Sequence, residues 1–160
     1  MSLSTKDFEE YASIAARLAD DKHGENIVLL NLSKTSVGLC DFVLIVSATS
    51  ETQLYTICEE IKDQLKNYNL FVMHREGGRD ARWAVLDYGG FMVHVLHQEM
   101  RALYTIDRLW EDAKTVSWQV GSAAKKETKK AAPKKTTTKK IAEKKTVAKK
   151  KSAKVGSKKK

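Results

Sequence analysis

The sequence predicts an α/β fold in which a mixed β-sheet of about five strands is flanked by helices. Two stretches, residues 8–19 and 54–68, repeat apolar side chains with the helical period, which indicates amphipathic helices. Between and after them lie short apolar runs that are rich in β-forming residues and too brief for helices. Helices and strands therefore share one chain.

The first helix carries a start signal and a stop signal. Ser4 followed by Asp7 is an acidic variant of the capping box, which satisfies free backbone amides of the first turn. The apolar stripe then continues until Gly24, a residue type that commonly ends helices. Two apolar runs follow, at residues 27–32 (IVLLNL) and 42–46 (FVLIV), and we predict strands covered on both faces.

A second capping box, made by Ser50 and Gln53, begins the second helix. Its apolar stripe predicts an end near Asn67. Residues 70–73 and 83–86 are then predicted to be further strands because they are short, apolar and rich in β-forming residues.

The last part of the domain contains a loop, a hairpin and a closing helix. Residues 76–80 (EGGRD) are polar and predict a flexible surface loop. Residues 87–90 (DYGG) connect the strand at 83–86 to a further strand at 91–96. Glycines between two such runs predict a hairpin, because its turn needs positive φ. A helical closing segment that ends around Ala113 is indicated by Met100, Leu103, Tyr104 and Trp110. The predicted order is α-β-β-α-β-β-β-α.

Charge divides the chain into two parts. Residues 1–118 contain 12 basic and 18 acidic residues, a net charge of −6, and all twelve aromatic residues. Residues 119–160 contain 17 lysines and two acidic residues, a net charge of +15. A segment of Lys, Ala, Thr, Ser and Val cannot bury enough surface to offset its chain entropy. We therefore predict a folded domain at 1–118 and a disordered Lys-rich tail at 119–160.

The composition also bears on compartment. No stretch approaches the roughly 20 apolar residues that cross a bilayer, and the acidic N-terminus is unlike a signal peptide. A soluble, cytoplasmic protein without membrane association is expected. Cys40 and Cys58 lack CxxC spacing and lie in apolar surroundings, so buried free thiols are expected.

Patterns that would indicate catalysis or a cofactor are weak. His94 and His97 are three residues apart on a predicted strand, so they point to opposite faces and cannot chelate one metal ion unless the strand ends between them. Neither glycine pair matches a Walker loop or a dinucleotide fingerprint. A nucleotidyl-transfer site would need converging carboxylates, but Gly89 stands two residues after Asp87. We expect no enzyme activity, no metal and no cofactor.

The densest mixture of large aromatic and acidic side chains surrounds Trp83, Leu86, Asp87 and Tyr88. One interpretation makes Trp83 part of the core and Asp87 a turn former. The other is a partner-binding patch, since Trp and Tyr are favoured anchors and an acid beside them suits a basic partner.

Several segments resemble the ribosomal silencing factor family, also called the Iojap family. They are residues 41–47 (DFVLIVS), 76–77 (EG), 83–96 (WAVLDYGGFMVHVL) and 101–110 (RALYTIDRLW). The resemblance spans residues 5–118, with a W-x-x-LD-x-G…VH…R-x-x-Y…LW series. His94 and Arg101 also match family positions, but the resemblance assigns no role to either residue.

The resemblance implies a domain with a nucleotidyltransferase-like shape but without the catalytic acids. It also implies a translational repressor that binds large-subunit ribosomal protein fourteen on the face that meets the small subunit. Occupying that face prevents subunit joining and lowers translation when nutrients are short. By position, Trp83, Leu86, Asp87 and Tyr88 fall on the family's contact surface. The source, bacterial or organellar, and the oligomeric state, including a homodimer, stay open.

The Lys-rich tail departs from the family's usual short ending, so the resemblance says nothing about its role. Lysines with almost no interleaved aromatic residues predict contacts to nucleic-acid phosphates without reading of bases. Ribosomal RNA beside the docking site is the expected polyanion. A solubilising tail, or one that makes the protein a nucleic-acid-binding protein, is the alternative. The lysines nearest the domain are Lys125, Lys126, Lys129, Lys130, Lys134 and Lys135.

Overall fold

The computed structural model describes residues 3–35 and 40–119. Two α-helices pack on one face of a six-stranded mixed sheet, and two short helical segments partly cover the other face. The elements are α1 (Thr5–Asp21), β1 (Glu25–Asn31), β2 (Phe42–Ala48), α2 (Glu51–Lys66), β3 (His74–Glu76), β4 (Trp83–Asp87), β5 (Phe91–His97), α3 (Gln98–Tyr104), a 3-10 helix (Ile106–Trp110) and β6 (Lys114–Thr115). The predicted α/β class is confirmed. The predicted disorder of the tail falls almost entirely outside the described residues.

The sheet has the strand order β3-β4-β5-β2-β1-β6. Its two central strands, β2 and β5, run parallel in a register that pairs Phe42 with Phe91 and Ala48 with His97. The neighbouring strands join antiparallel to their partners. The sixth strand, β6, was not predicted, because only Leu30 and Asn31 of β1 give its two residues a partner.

Helix α1 begins as predicted. The Ser4 hydroxyl accepts a hydrogen bond from the Asp7 amide (3.4 Å), and the Asp7 carboxylate accepts one from the Ser4 amide (2.8 Å). The buried residues of this helix are all alanines, whose small side chains let the helix lie close to the sheet: Ala12, Ala15, Ala16 and Ala19.

The second capping box is only half formed. The Ser50 hydroxyl accepts from the Gln53 amide (3.2 Å), as predicted. The Gln53 side chain, however, accepts from the Thr49 amide (2.7 Å) and donates to the His23 carbonyl oxygen (2.7 Å). Gln53 therefore joins the start of α2 to the segment that follows α1. The end of α2 at Lys66, with Asn67 as its cap, confirms the prediction.

Two strand predictions need correction. Within the predicted range, β1 is only half-buried at Ile27, Val28 and Asn31, so it is not fully covered on both faces, whereas β2 is buried throughout. Residues 70–73 do not form a strand, and β3 begins at His74 instead. Its partner β4 ends at Asp87, which pairs with His74. Residues 70–73 precede His74 and therefore have no residue of β4 with which to pair.

The closing segment is not one helix. Helix α3 ends at Tyr104, and Thr105 then takes a left-handed conformation with φ of 46°. The 3-10 helix that follows buries only Ile106 and Trp110 and ends before Ala113. The predicted hairpin is confirmed, and positive φ occurs at Gly89 (82°). Gly90 lies so close to Phe8 that a Cβ there would be 2.2 Å from the ring.

The two faces of the sheet build separate cores. The core between the sheet and the two long helices includes Phe42, Leu44, Leu86 and Phe91. The smaller core, beneath the 3-10 helix, includes Leu30, Val43, Ile45, Leu96, Ile106 and Trp110. Among the described residues, no helix combines the length and apolar character needed to cross a membrane.

Candidate protein-binding site

The sequence-predicted site lies on β4, and its residues divide between the two faces of the sheet. Side chains alternate along a strand, so Trp83, Val85 and Asp87 point away from α1 and α2. Leu86 points the other way and is fully buried. Its assignment to a contact surface is corrected, because a partner cannot touch a buried side chain.

Tyr88 is also a core residue in this structure. Its ring is 3% exposed and stacks on Phe91 with centroids 4.7 Å apart and planes 7° from parallel. Burial raises the pKa of its phenol, and the hydroxyl has no hydrogen-bond partner among residues 3–35 and 40–119. The predicted contact role of Tyr88 is corrected for the same reason as that of Leu86. Both residues hold the strand and turn from the helix side.

Trp83 lies half-buried on the open face, the sheet face that α1 and α2 leave uncovered. Its indole Nε1 donates to Nδ1 of His94 at 3.3 Å. On another side, its ring meets Tyr104 with centroids 5.4 Å apart. The indole is thus held between a strand and α3 while part of it stays accessible. Trp83 is therefore only partly a core residue, and its role as a partner anchor stays a prediction.

His94 is buried beneath this tryptophan. Its side chain is 8% exposed, and its ring lies 5.7 Å from that of Trp110. Burial lowers the pKa of His94 from 6.5 to about 4, so the imidazole is neutral at neutral pH. His94 is thus a hydrogen-bonded residue of β5.

Tyr104, one of the residues that predicted the closing helical segment, is a surface residue. It is 54% exposed, and α3 buries none of its residues. The helix has only seven residues and ends at the left-handed Thr105. It is therefore too short to bury a stripe of apolar side chains. Adjacency to Trp83 could not be read from a spacing of 21 positions. We call Trp83, Asp87 and Tyr104 together the open-face patch.

Asp87 acts as a turn former and also bears charge on the open face. Its Oδ1 accepts from the Gly89 amide at 2.7 Å, which confirms the turn interpretation. The side chain is half-buried. Burial, with the charge of Asp87 second, raises the pKa of the nearby Cys40 thiol to about 11. The structure therefore places a half-buried carboxylate at the end of β4, on the same strand face as Trp83.

Arg101 fixes α3 to the sheet. Its guanidinium binds both oxygens of Asp107 (3.0 and 2.7 Å), and Nη1 donates to the Asn26 carbonyl oxygen (2.6 Å) and the Ser47 hydroxyl (3.0 Å). The hydrogen bonds from Arg101 lower the pKa of the Asp107 carboxyl. This clamp holds the helix that carries Tyr104, which gives the family position at Arg101 a structural role.

The other chemistry-bearing residues lie apart. His94 and His97 occupy opposite faces of β5, as the strand period predicts, and His97 lies 3.2 Å from the Thr49 carbonyl oxygen. Within the described part of the chain, no three His, Cys, Asp or Glu side chains come together as metal ligands would. Cys58 is buried and Cys40 only half-buried, and both are free thiols.

The six tail lysines predicted to contact nucleic acid lie outside the described residues. These are Lys125, Lys126, Lys129, Lys130, Lys134 and Lys135. Their contact with nucleic acid stays a prediction.

Comparison with known proteins identifies the family. Residues 5–152 match the family model described as "Ribosomal silencing factor during starvation" (RsfS). This match continues beyond residue 118, where the resemblance seen in the sequence ended.

Curated relatives carry the same name. A ribosomal silencing factor from Halalkalibacterium halodurans is 37% identical over 108 residues, covering 68% of this chain and 92% of the relative. One from Bacillus subtilis is 39% identical over 100 residues, covering 62% and 84%.

The fold agrees with this assignment. A crystal structure of a protein from Bacillus halodurans superimposes with a TM-score of 0.59 at 35% identity, covering 68% of this chain and 98% of that one. With the sequence match spanning nearly the whole chain, the conclusion follows that this protein belongs to the ribosomal silencing factor family.

Proposed function

We propose that this protein is a translational repressor that binds the large ribosomal subunit through large-subunit ribosomal protein fourteen. By occupying the face that meets the small subunit, it prevents the two subunits from joining and lowers translation under nutrient limitation. Membership of a family described as silencing factors during starvation supports the general role. The observation that carries the proposal is the open-face patch, which combines aromatic surface with a carboxylate.

The open-face patch has the chemistry of a protein-docking site. Trp and Tyr supply large contact area at low entropic cost, and residues of these types are frequent anchors of interfaces. Trp83 and Tyr104 lie in mutual contact and both are accessible. Two of the residues first assigned to the contact surface, Leu86 and Tyr88, act instead as support beneath the strand and turn.

Charge favours a basic partner. Residues 1–118 carry a net charge of −6, and Asp87 shares the open face with Glu76. An acidic domain is attracted to a basic ribosomal protein, which speeds encounter and opposes wrong partners. Silencing by occupancy needs no chemical step, so we propose no enzymatic activity and no cofactor.

We further propose that the chain divides functionally into a docking domain, 1–118, and a basic tail, 119–160. Seventeen lysines give the tail a net charge of +15. In this proposal the tail contacts phosphates of ribosomal RNA near the docking site and adds affinity without sequence preference. The same charge supports a second candidate function, a nucleic-acid-binding protein that acts mainly through its tail.

A subunit-joining assay tests the main proposal. Purified protein is added in excess to separated large and small subunits, and the fraction of whole ribosomes is measured on a sucrose gradient. We expect less joining, and a weaker effect on ribosomes that are already assembled and translating, because competition requires a free face. Unchanged joining at saturating protein would refute the silencing role.

Substitutions in the open-face patch test the docking surface. Trp83→Ala should weaken binding to the large subunit, and Asp87→Lys should weaken it further, each by roughly 1–4 kcal/mol. Matched controls are Tyr68→Ala, an exposed aromatic residue that packs on α1, and Glu10→Lys, an exposed acid of α1. If both patch variants fold by circular dichroism and bind like the controls, the patch is not the docking surface.

Removing the tail separates the two candidate functions. Lysine–phosphate contacts release counterions and weaken steeply with salt, whereas docking through Trp83 buries apolar area and weakens less. We expect a chain ending at Trp118 to bind the large subunit and block joining, with lower affinity at low salt and a shallower salt dependence. If that chain loses all binding while the isolated tail keeps it, the nucleic-acid-binding function is favoured.

A further inference from the structure

His94 is a buried polar residue whose purpose the family membership leaves open. Apart from the tyrosine hydroxyl of Tyr88, the buried polar residues in the described part of the chain are Ser47 and His94. Ser47 is explained by its hydrogen bond with the Arg101 clamp. His94 lies in the apolar core beneath the 3-10 helix, where a polar ring is costly unless it is hydrogen-bonded.

The hydrogen bond of His94 points toward the open-face patch. In the β4–β5 ladder Val85 stands opposite His94, so Trp83 is the diagonal neighbour on the same face. Nδ1 of His94 accepts from the indole Nε1 at 3.3 Å. An acceptor nitrogen is unprotonated, so the neutral ring carries its hydrogen on Nε2.

We propose that His94 is a positioning residue, which fixes the Trp83 indole in the orientation that the open-face patch presents to the ribosome. This inference rests on the proposed function. His94 itself is 8% exposed and does not reach a partner, so its whole effect passes through Trp83.

The physical reason is preorganisation. A half-buried indole has one polar group, its N–H, and an acceptor inside the sheet face selects the orientation in which that group is satisfied. Tyr104 bounds the ring on another side, at a centroid distance of 5.4 Å. Without the acceptor, the Trp83 side chain samples more rotamers. Docking must then restrict those rotamers, and the lost entropy lowers the affinity.

The test uses the full chain with two variants of His94. His94→Leu keeps an apolar volume but removes the acceptor, and His94→Asn retains an acceptor oxygen near the position of Nδ1. We expect His94→Leu to weaken large-subunit binding roughly three- to tenfold, the size of one hydrogen bond. His94→Asn should restore most of that affinity. If His94→Leu does not fold, His94→Phe replaces it.

A spectroscopic measurement reads the orientation of the indole directly. The Nε1–H signal of Trp83 in a ¹H–¹⁵N spectrum is assigned by its loss in Trp83→Phe. We expect this signal to shift and broaden in His94→Leu and to stay near its wild-type position in His94→Asn. An unchanged signal in His94→Leu overturns the proposal, because the hydrogen bond would then not hold the ring.

A double-mutant cycle shows whether His94 acts through Trp83. In a Trp83→Ala background, His94→Leu should cause no further loss of binding. An equal loss in both backgrounds overturns the positioning role. If Trp83→Ala weakens binding but His94→Leu does not, the positioning proposal fails alone. If Trp83→Ala binds like wild type, the docking surface of the proposed function fails, and the positioning role fails with it.

Discussion

The stability of this domain should fall between pH 7 and pH 5 because of one buried histidine. Burial lowers the pKa of His94 from 6.5 in the unfolded chain to about 4 in the folded domain. A group with this shift binds a proton in the unfolded state before it does so in the folded state. The stability that depends on neutral His94 is therefore fully present above pH 6.5, and it is lost as the pH falls toward 4.

The magnitude follows from the two pKa values. At pH 5 the unfolded chain holds a proton on His94 that the folded chain excludes, which lowers the free energy of unfolding by about 2 kcal/mol. Near pH 4 and below, the loss approaches about 3 kcal/mol. Carboxylates with lowered pKa, such as Asp7 and Asp107, lose their contribution at more acidic pH, as the pH approaches and falls below their unfolded pKa values.

Urea unfolding at several pH values measures this effect. Wild type and His94→Asn are unfolded at pH 7.5, 6 and 5, with circular dichroism as the probe. We expect the wild type to lose about 2 kcal/mol more than the variant between pH 7.5 and 5, because Asn does not titrate. His94→Gln provides a second neutral variant. Equal pH dependence in all three proteins would refute the assignment of the loss to His94.

Three further outcomes are expected. Gly90→Ala should destabilise the domain by about 1–3 kcal/mol in thermal unfolding, because its Cβ meets the Phe8 ring, whereas Gly78→Ala, with open space around it, should be nearly neutral. Tyr88→Phe should leave large-subunit binding within twofold in a sedimentation assay, since the hydroxyl is buried; a larger loss would return Tyr88 to the contact surface. Arg101→Lys should lower stability by about 1–3 kcal/mol in urea unfolding because ammonium cannot reproduce the forked contacts, and wild-type stability would contradict the clamp.

The sequence by itself determined the fold class and the family. Local signals were sufficient where they act over a few residues: the Ser4 cap, the helical stripes and the turn that needs positive φ at Gly89. The family series around Trp83 was recognisable because those residues are contiguous in the chain. Charge likewise separated the two parts of the chain without any coordinates.

Elements that depend on a distant partner could be decided only by the tertiary structure. Strand β6 exists because β1 offers it an edge, and residues 70–73 lack a ladder because β4 ends at Asp87. Likewise, Thr105 turns left-handed between α3 and the 3-10 helix, and this leaves Tyr104 exposed. The spacing of apolar residues cannot predict where these elements begin and end, because that depends on which backbone groups of a neighbouring strand remain unpaired.

The composition of the candidate site was decided in the same way. The sequence brought Leu86, Asp87 and Tyr88 together as neighbours of Trp83, but a strand sends neighbouring side chains to opposite faces. Leu86 and Tyr88 are therefore buried support, and Tyr104 joins Trp83 from a separate helix. The sequence determined which residue types surround the site. The packing of α1 and α2 on one sheet face, and of α3 on the other, decided which of them a partner can touch.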